Sequence, residues 1–190
     1  MATNKPVRVP ELFGELQLCT GEKSWFVVHT KPRCEKKLAD YTKRNGISYY
    51  LPQFTDKRVY QRRKVEFDKV LFPSYLFVAM DYMTKQILTI SGYVVGFILV
   101  PAQAELIGEL RAIYYGREKK AEMKPGLWLD KGLEVLITSG PLKGMQGIVE
   151  NHTKLSEVRL QVNILRQAVI VKVEPASLKI LGEYEVVEIE

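Results

Sequence analysis

The chain has 190 residues, of which 46% are apolar, and a formal net charge of +6 at pH 7. This length suits one domain or two small ones with a buried core, and the apolar runs are too short to span a membrane. Two cysteines and two histidines give neither a disulfide framework nor a zinc site, and no apolar signal peptide is present, so we expect a reduced, cytoplasmic protein.

The first half of the chain alternates predicted strands and helices. Residues 1–23 lack periodicity and are predicted to be an extension that is mobile or ordered only against a partner. The next predicted elements are a strand over residues 25–30, a helix over 33–44 and a strand over 48–51. Residues 53–70 are polar and basic, which predicts a long hairpin or an ordered loop.

Residues 71–79 form the most apolar predicted strand, with Pro73 at its entrance. Alternation along this strand places Phe72 and Phe77 on opposite faces, and Tyr75 on the same face as Phe77. A short helix over 81–91, a strand over 92–100 and an amphipathic helix over 102–118 follow. This order predicts an open α/β sandwich.

Only strands are predicted after a linker at residues 119–128. A turn between the first two of them contains Gly140, Pro141, Gly144 and Gly147. The predicted strands cover residues 133–137, 145–152, 157–164, 167–173 and 177–181. Five short strands in about 50 residues predict a small closed barrel. The predicted architecture is therefore α+β, with an extension at 1–23, a domain at 24–118, the linker and a barrel at 129–190.

The net positive charge of the protein lies in the middle of the chain. Residues 22–120 hold 18 Lys and Arg against 10 Asp and Glu, a net charge of +8. Residues 121–190 hold 8 against 10, a net charge of −2. We therefore expect only the first domain to face nucleic acid.

Three motifs and their order resemble the NusG family of transcription factors. Trp25–Arg33 followed by Glu35-Lys36-Lys37 is similar to the first strand and helix of the NusG N-terminal domain. Leu71–Val78 is similar to its most characteristic strand, and Leu133–Glu150 resembles the KOW motif. The resemblance implies a NusG N-terminal-like sandwich followed by a five-stranded SH3-like KOW barrel, and a transcription elongation or antitermination factor without catalysis.

RNA polymerase is the main partner that the resemblance implies. The N-terminal domain would contact the clamp helices of the largest subunit and a loop of the second subunit, and would suppress pausing and termination. The KOW domain would recruit a ribosomal protein or a termination factor. The polymerase-binding candidates are Trp25, Phe26, Val28, Phe72, Pro73, Tyr75, Phe77, Thr84 and Lys85. Ordinary core packing is the alternative for each aromatic residue.

Non-template DNA of the elongation complex is the second implied partner. The basic candidates near the first helix are Lys31, Arg33, Lys37 and Arg44, and the last three share one helical stripe if the helix begins at residue 33. The candidates in the basic segment are Arg58, Arg62, Arg63 and Lys64. The alternatives are a solvated helix face and a flexible charged hairpin.

Departures from the housekeeping form indicate a specialised paralogue. These are the extension, the basic segment 53–70, and Arg166 at a turn where glycine is expected. They favour an RfaH-like or capsule-operon antiterminator that serves surface-polysaccharide operons and works on the bacterial nucleoid. A general housekeeping NusG and a ribosome- or RNA-binding KOW protein are the alternatives, and the latter would need a basic barrel.

Catalysis is not expected. His29 and His152 fall in different predicted domains, without a nucleophile or carboxylate grouping around either. The sequence contains neither a phosphate-binding glycine loop nor a metal-ligand spacing. We therefore predict that the protein is not an enzyme and uses no cofactor or metal.

Overall fold

The computed structural model describes residues 7–60 and 63–186, without the side chains of Tyr60 and Arg63. The chain divides into two compact units, the first ending at Ile107 and the second beginning at Gly108. No helix of the described ranges is both long and apolar enough to cross a membrane.

The first unit is built on a five-stranded antiparallel sheet. Its elements are β1 (Leu12–Phe13), β2 (Ser24–Thr30), α1 (Glu35–Arg44), β3 (Tyr49–Tyr50), β4 (Gln53–Tyr60), β5 (Arg63–Val70), β6 (Tyr75–Met80), α2 (Tyr82–Ile90) and β7 (Val94–Leu99). The strand order is β1-β3-β6-β2-β7, and β4 and β5 form a separate two-stranded hairpin. A third helix, α3 (Gln103–Glu118), begins in the first unit and continues into the second.

Helices α1 and α2 contribute to a buried apolar cluster with the sheet. Leu38 of α1 and Leu88 of α2 belong to the same cluster as Val28 of β2 and Val78 of β6. Alternating residues of each strand point to the same face, so the apolar residues of β2 and β6 line one continuous surface. Helix α1 carries an acidic residue in its first turn and basic residues in its last, which suits the helix dipole.

Helix α1 starts two residues later than predicted. Arg33 has φ 61°, in the left-handed region that an α-helix cannot contain. The preceding residues form a turn in which the Cys34 N–H donates to the Lys31 carbonyl at 3.1 Å. The helix begins at Glu35, so Arg33 does not share a helical stripe with Lys37 and Arg44 as predicted.

The apolar strand β6 is also shorter than predicted. It begins at Tyr75, and residues 71–74 form a turn in which Ser74 has φ 68°. Strand alternation therefore does not extend back to Phe72. The rings of Phe72 and Phe77 contact each other edge to face, with centroids 6.0 Å apart, so the prediction that they face opposite sides was wrong.

The described part of the extension is ordered against its own domain, contrary to the prediction. Strand β1 pairs antiparallel with β3, Leu12 opposite Tyr50 and Phe13 opposite Tyr49. Further along, Leu16 is buried and the Trp25 Nε1–H donates to the Gln17 carbonyl at 2.8 Å. The unpaired edge of a short strand accounts for this order, because β3 offers backbone groups that the extension satisfies.

The second unit contains a six-stranded antiparallel sheet. Its strands are β8 (Met123–Leu127), β9 (Lys131–Ile137), β10 (Gln146–Val149), β11 (Glu157–Val162), β12 (Gln167–Lys172) and β13 (Leu178–Glu185), in the order β13-β9-β10-β11-β12-β8. The α+β class is therefore as predicted, and the sheet has one strand more than the five expected.

The additional strand lies in the predicted linker. Residues 123–127 pair with β12, so they are not a linker as predicted from Pro125 and Gly126. Pro125 is tolerated because β8 is an edge strand. Gly126 permits close packing, because a Cβ at that position would lie 2.4 Å from Ile170 Cγ1.

Candidate functional site

The predicted polymerase-binding residues separate into buried and accessible side chains. Trp25, Val28, Phe72 and Phe77 are at most 1% exposed, and Thr84 is 8% exposed. Trp25 and Val28 point to opposite faces of β2, so side chains are buried on both faces of the sheet at this strand. Because these five side chains are buried in this conformation, they pack in the interior and do not contact RNA polymerase directly, in contrast to the prediction. The accessible candidates are Phe26, Pro73, Tyr75 and Lys85.

A buried glutamate positions the exposed proline. Glu35 is 7% exposed, and its Oε1 accepts a hydrogen bond from the Ser74 N–H at 2.7 Å. The Ser74 carbonyl in turn accepts from the Thr30 N–H at 2.8 Å. These contacts fix the 71–74 turn, from which Pro73 projects into solvent. Sequence reasoning missed the role of Glu35, whose position in the first turn of a helix indicates only a dipole contact.

Tyr75 and His29 form an accessible aromatic pair. They lie opposite each other on β6 and β2, and their rings stack with centroids 5.3 Å apart. Both side chains are half-buried. An aromatic pair with one accessible face can anchor a partner, since aromatic residues contribute much of the energy at protein interfaces. His29 was not predicted as part of this site.

The basic candidates around α1 are all exposed. Lys31 and Arg33 lie in the turn before α1, and Lys37 lies on the helix. Arg44 is 76% exposed and pairs with Asp40 at 2.5 Å. Surface pairs of this kind contribute little stability, so the Arg44 guanidinium remains available to a phosphate.

Positive charge in the hairpin concentrates toward its tip. Near the base, Asp56 accepts from Lys69 and from Arg58, and these contacts lower the pKa of Asp56, the Lys69 hydrogen bond most of all. Lys57 pairs across the strands with Glu66 at 3.2 Å. At the tip, Lys64 is exposed, and Arg63 lies opposite Tyr60 in the strand register. Arg62 lies outside the described residues.

The hairpin and α1 meet through one lysine. The Lys36 ammonium donates to the Asp68 carbonyl near the end of β5. This contact brings the beginning of α1 next to the hairpin base. The two basic elements predicted separately from the sequence are therefore adjacent in the first unit.

The glycine turn predicted in the second unit is present between β9 and β10. Gly140 and Gly144 have φ 82° and 90°, which side chains rarely adopt. The Gly144 N–H donates to the Ile137 carbonyl at 2.7 Å. Pro141 is exposed on the turn. Gly147 serves a different purpose, because a Cβ there would lie 2.4 Å from Val158 Cγ1 on β11.

Arg166 occupies the left-handed position where the sequence pattern expects glycine. Its φ is 47°, and its guanidinium lies over the Trp128 ring, 5.4 Å from the centroid. The Trp128 Nε1–H donates to Asn163 Oδ1 at 3.0 Å. Exposed Leu127 directly precedes Trp128, and exposed Ile164 directly follows Asn163. Sequence reasoning missed Trp128, because an isolated tryptophan beside a predicted linker gives no pattern.

Metal chemistry finds no support in the part of the chain that is described. Within residues 7–60 and 63–186, no group of three or more His, Cys, Asp or Glu side chains could hold a metal ion.

Comparisons with known proteins point to one family. Residues 23–108 match the family model described as "Transcription termination factor nusG". The transcription termination/antitermination protein NusG of Rickettsia conorii is 29% identical, over 82% of this chain and 86% of the relative. The protein of the same name from Rickettsia typhi is 27% identical, over 75% and 81%.

A solved structure is also similar. It is titled "Domain interaction in Thermotoga maritima NusG", with 24% identity and a TM-score of 0.46, over 84% of this chain and 98% of that one.

Proposed function

We propose that this chain is a NusG-type transcription elongation and antitermination factor, which binds bacterial RNA polymerase through its first unit and suppresses pausing and termination. In this proposal the protein acts as a transcription factor and not as an enzyme, like the relatives it resembles. The observation that carries the proposal is the match of residues 23–108 to the NusG family model, over the unit that bears the accessible aromatic pair and the basic surface.

The polymerase interface in this proposal is centred on Tyr75, with His29 and Pro73 around it. Phe26 lies on the other face of the sheet, where it packs against the apolar cluster of α1 and α2, so it is left out of this interface. Its proposed partner is the clamp-helix region of the largest subunit. Lys85, exposed on α2, is assigned to a loop of the second subunit. The buried Phe72 and Phe77 support the interface from below, because Phe72 packs on Phe77 and Phe77 on Tyr50.

In vitro transcription by bacterial RNA polymerase on a long template tests the proposal. The wild-type protein should shorten pauses or increase passage through terminators. Tyr75→Ala should weaken polymerase binding about tenfold or more, the scale of an aromatic hot spot, while Tyr184→Ala on the second unit serves as a matched control. Absence of both a transcription effect and polymerase binding by the wild-type protein would overturn the proposal.

Nucleic-acid contact is assigned to the basic surface of the same unit. Lys31, Arg33, Lys37 and Arg44 would face non-template DNA, and the basic segment 53–70, with Arg58, Arg62, Arg63 and Lys64, would face upstream duplex. Contacts of this kind go to phosphates and carry little sequence information. A ribosome- or RNA-binding role is disfavoured, because residues 121–190, which include the six-stranded sheet, carry a net charge of −2.

A specialised role on surface-polysaccharide operons is the finer part of the proposal. It draws support from the extension paired with β3 and from Arg166 at the glycine position. The second unit would recruit a ribosomal protein or a termination factor, and the exposed Leu127 and Ile164 are its proposed contacts. Transcription assays that compare a housekeeping template with a polysaccharide-operon template test the specialised role.

A further inference from the structure

The segment Val9–Phe13 contacts both the sheet edge and the start of the basic hairpin. The Leu51 N–H donates to the Glu11 carbonyl at 2.7 Å, and the Tyr49 hydroxyl donates to the Pro10 carbonyl at 2.9 Å. The Phe13 ring stacks on Tyr49 with centroids 6.2 Å apart. The segment is therefore held on the chain that leads directly into β4.

The Glu11 carboxylate reaches the first residue of the hairpin. Its Oε1 accepts from the Gln53 N–H at 3.1 Å and from the Tyr50 hydroxyl at 3.4 Å. The Gln53 side chain adds a long hydrogen bond of 3.5 Å to the Val9 carbonyl. Gln53 is 6% exposed, so its N–H depends on a protein acceptor.

The hairpin needs support at its base. Strands β4 and β5 pair only with each other and belong to neither larger sheet. An isolated two-stranded hairpin is marginally stable in water, so its direction depends on what holds its ends. Lys36 holds the β5 end through the Asp68 carbonyl, and Glu11 holds the β4 end through Gln53.

We propose that Val9–Phe13 is a brace that fixes the direction of the basic β4–β5 hairpin, and that Glu11 is its positioning residue. The brace keeps Lys64 at a fixed place relative to Lys37 on α1, which presents one basic surface to a phosphate backbone. This last consequence rests on the proposed function, whereas the direction of the hairpin does not.

Distance measurements by pulsed electron paramagnetic resonance test the brace without any partner. Spin labels are placed on Val59→Cys of β4 and Lys43→Cys of α1, both exposed, with Cys19→Ser and Cys34→Ser removing the native thiols. The distance distribution should be narrow in the parent protein and in Glu11→Gln, which keeps an acceptor oxygen. It should broaden or shift in Glu11→Ala, and Glu15→Ala, an exposed glutamate just beyond the segment, is the matched control.

A second variant removes the brace by another route. A Cβ on Gly14 would lie 2.3 Å from Ser48 Oγ, and φ there is 87°, so Gly14→Ala should lift the segment from β3 with Glu11 intact. Its distance distribution should broaden as well. If both Glu11→Ala and Gly14→Ala stay folded by circular dichroism and keep the parent distribution, the brace is refuted.

Binding to a reconstituted elongation complex then separates the brace from the function of the hairpin. Glu11→Ala should weaken binding about fivefold, which corresponds to about one hydrogen bond, and Glu11→Gln should restore it. A broadened distance distribution with unchanged affinity would support the brace and refute the assignment of DNA binding to the hairpin. Unchanged distances with weakened affinity would refute the brace.

Discussion

Single glycines decide how closely the strands of the second unit approach one another. At Gly147 an added Cβ would meet Val158 Cγ1 at 2.4 Å and the Arg159 carbonyl oxygen at 2.8 Å. The second of these is a backbone atom in a paired strand, so it cannot move aside without disturbing the ladder. Glycine is therefore required here for space, and at Gly144 for its positive φ.

Gly147→Ala should lower the free energy of unfolding of the second unit by about 2 kcal/mol, in the range of overpacking in a well-packed interior. Urea denaturation of the full chain, followed by near-ultraviolet circular dichroism, measures the change. Gly182→Ala is the matched control, because an added Cβ there meets nothing within 4 Å. Equal stability of the two variants would contradict the close-approach explanation.

Individual residues also show what a sequence can reveal about this site. The motif around Phe72 and Tyr75 was recognisable, but periodicity could not separate the buried ring from the accessible one. The turn at Ser74 breaks the alternation, and that turn depends on Glu35, which is 39 positions away. Contacts at such separations leave no local pattern, so Glu35, His29 and Trp128 were not predicted.

At the scale of elements, helix α2 depends on a capping carboxylate. Asp81 is its N-cap, and its Oδ1 accepts from the Thr84 N–H at 2.8 Å. Hydrogen bonds from the Thr84 backbone and side chain, with the charge of Lys23 as a smaller cause, lower the pKa of Asp81 below its usual 3.8. An ionised carboxylate at a helix N-terminus also interacts favourably with the helix dipole.

Asp81→Asn should remove a stabilisation that depends on pH. The folded-state pKa of Asp81 is depressed, so its contribution is complete above the unfolded pKa near 3.8 and is lost as the pH falls through the lower folded value. The wild-type protein should therefore be more stable than Asp81→Asn at pH 6, and the difference should shrink below pH ~4. Urea denaturation midpoints of both proteins between pH 6 and pH ~2.5 measure this stability difference. A difference that stays constant down to pH ~2.5 would contradict a charged Asp81 cap.

The elements themselves were largely predictable where the pattern was local. The three helices and most strands follow from apolar periodicity, and the basic segment 53–70 adopts the hairpin alternative. Strand β1 was missed because it has only two residues, and both β1 and β8 gain their order from a neighbouring strand. Pro125 and Gly126 read as a linker in isolation, and only the pairing with β12 makes that segment a strand.

At the scale of the whole molecule, the location of charge carries more information than its total. The net +8 of residues 22–120 and the −2 of residues 121–190 lie on different parts of the chain. Within the first unit, ion pairs at Asp56 and Glu66 reduce the charge of the hairpin base and leave the tip positive. A protein that used charge only for solubility would not need this separation.

Two triple variants with the same net charge test whether location matters. Lys31, Lys37 and Lys64 are exposed on the first unit, and Lys124, Lys131 and Lys172 are exposed on the second. Replacing either set with alanine lowers the formal charge of the chain from +6 to +3. Removal of the first set should weaken binding to a nucleic-acid scaffold of the elongation complex. It should also reduce the slope of log affinity against log salt by about one for each lysine that had neutralised a phosphate.

The second set should leave both the affinity and the slope near the wild-type values, because its lysines lie outside the proposed basic surface. Equal losses in the two variants would mean that long-range attraction to the whole chain, rather than a defined surface, governs binding. A loss confined to the second set would move the nucleic-acid interface to the second unit and revive the RNA-binding alternative. The comparison holds net charge fixed, so any difference between the variants reports where the phosphate backbone lies.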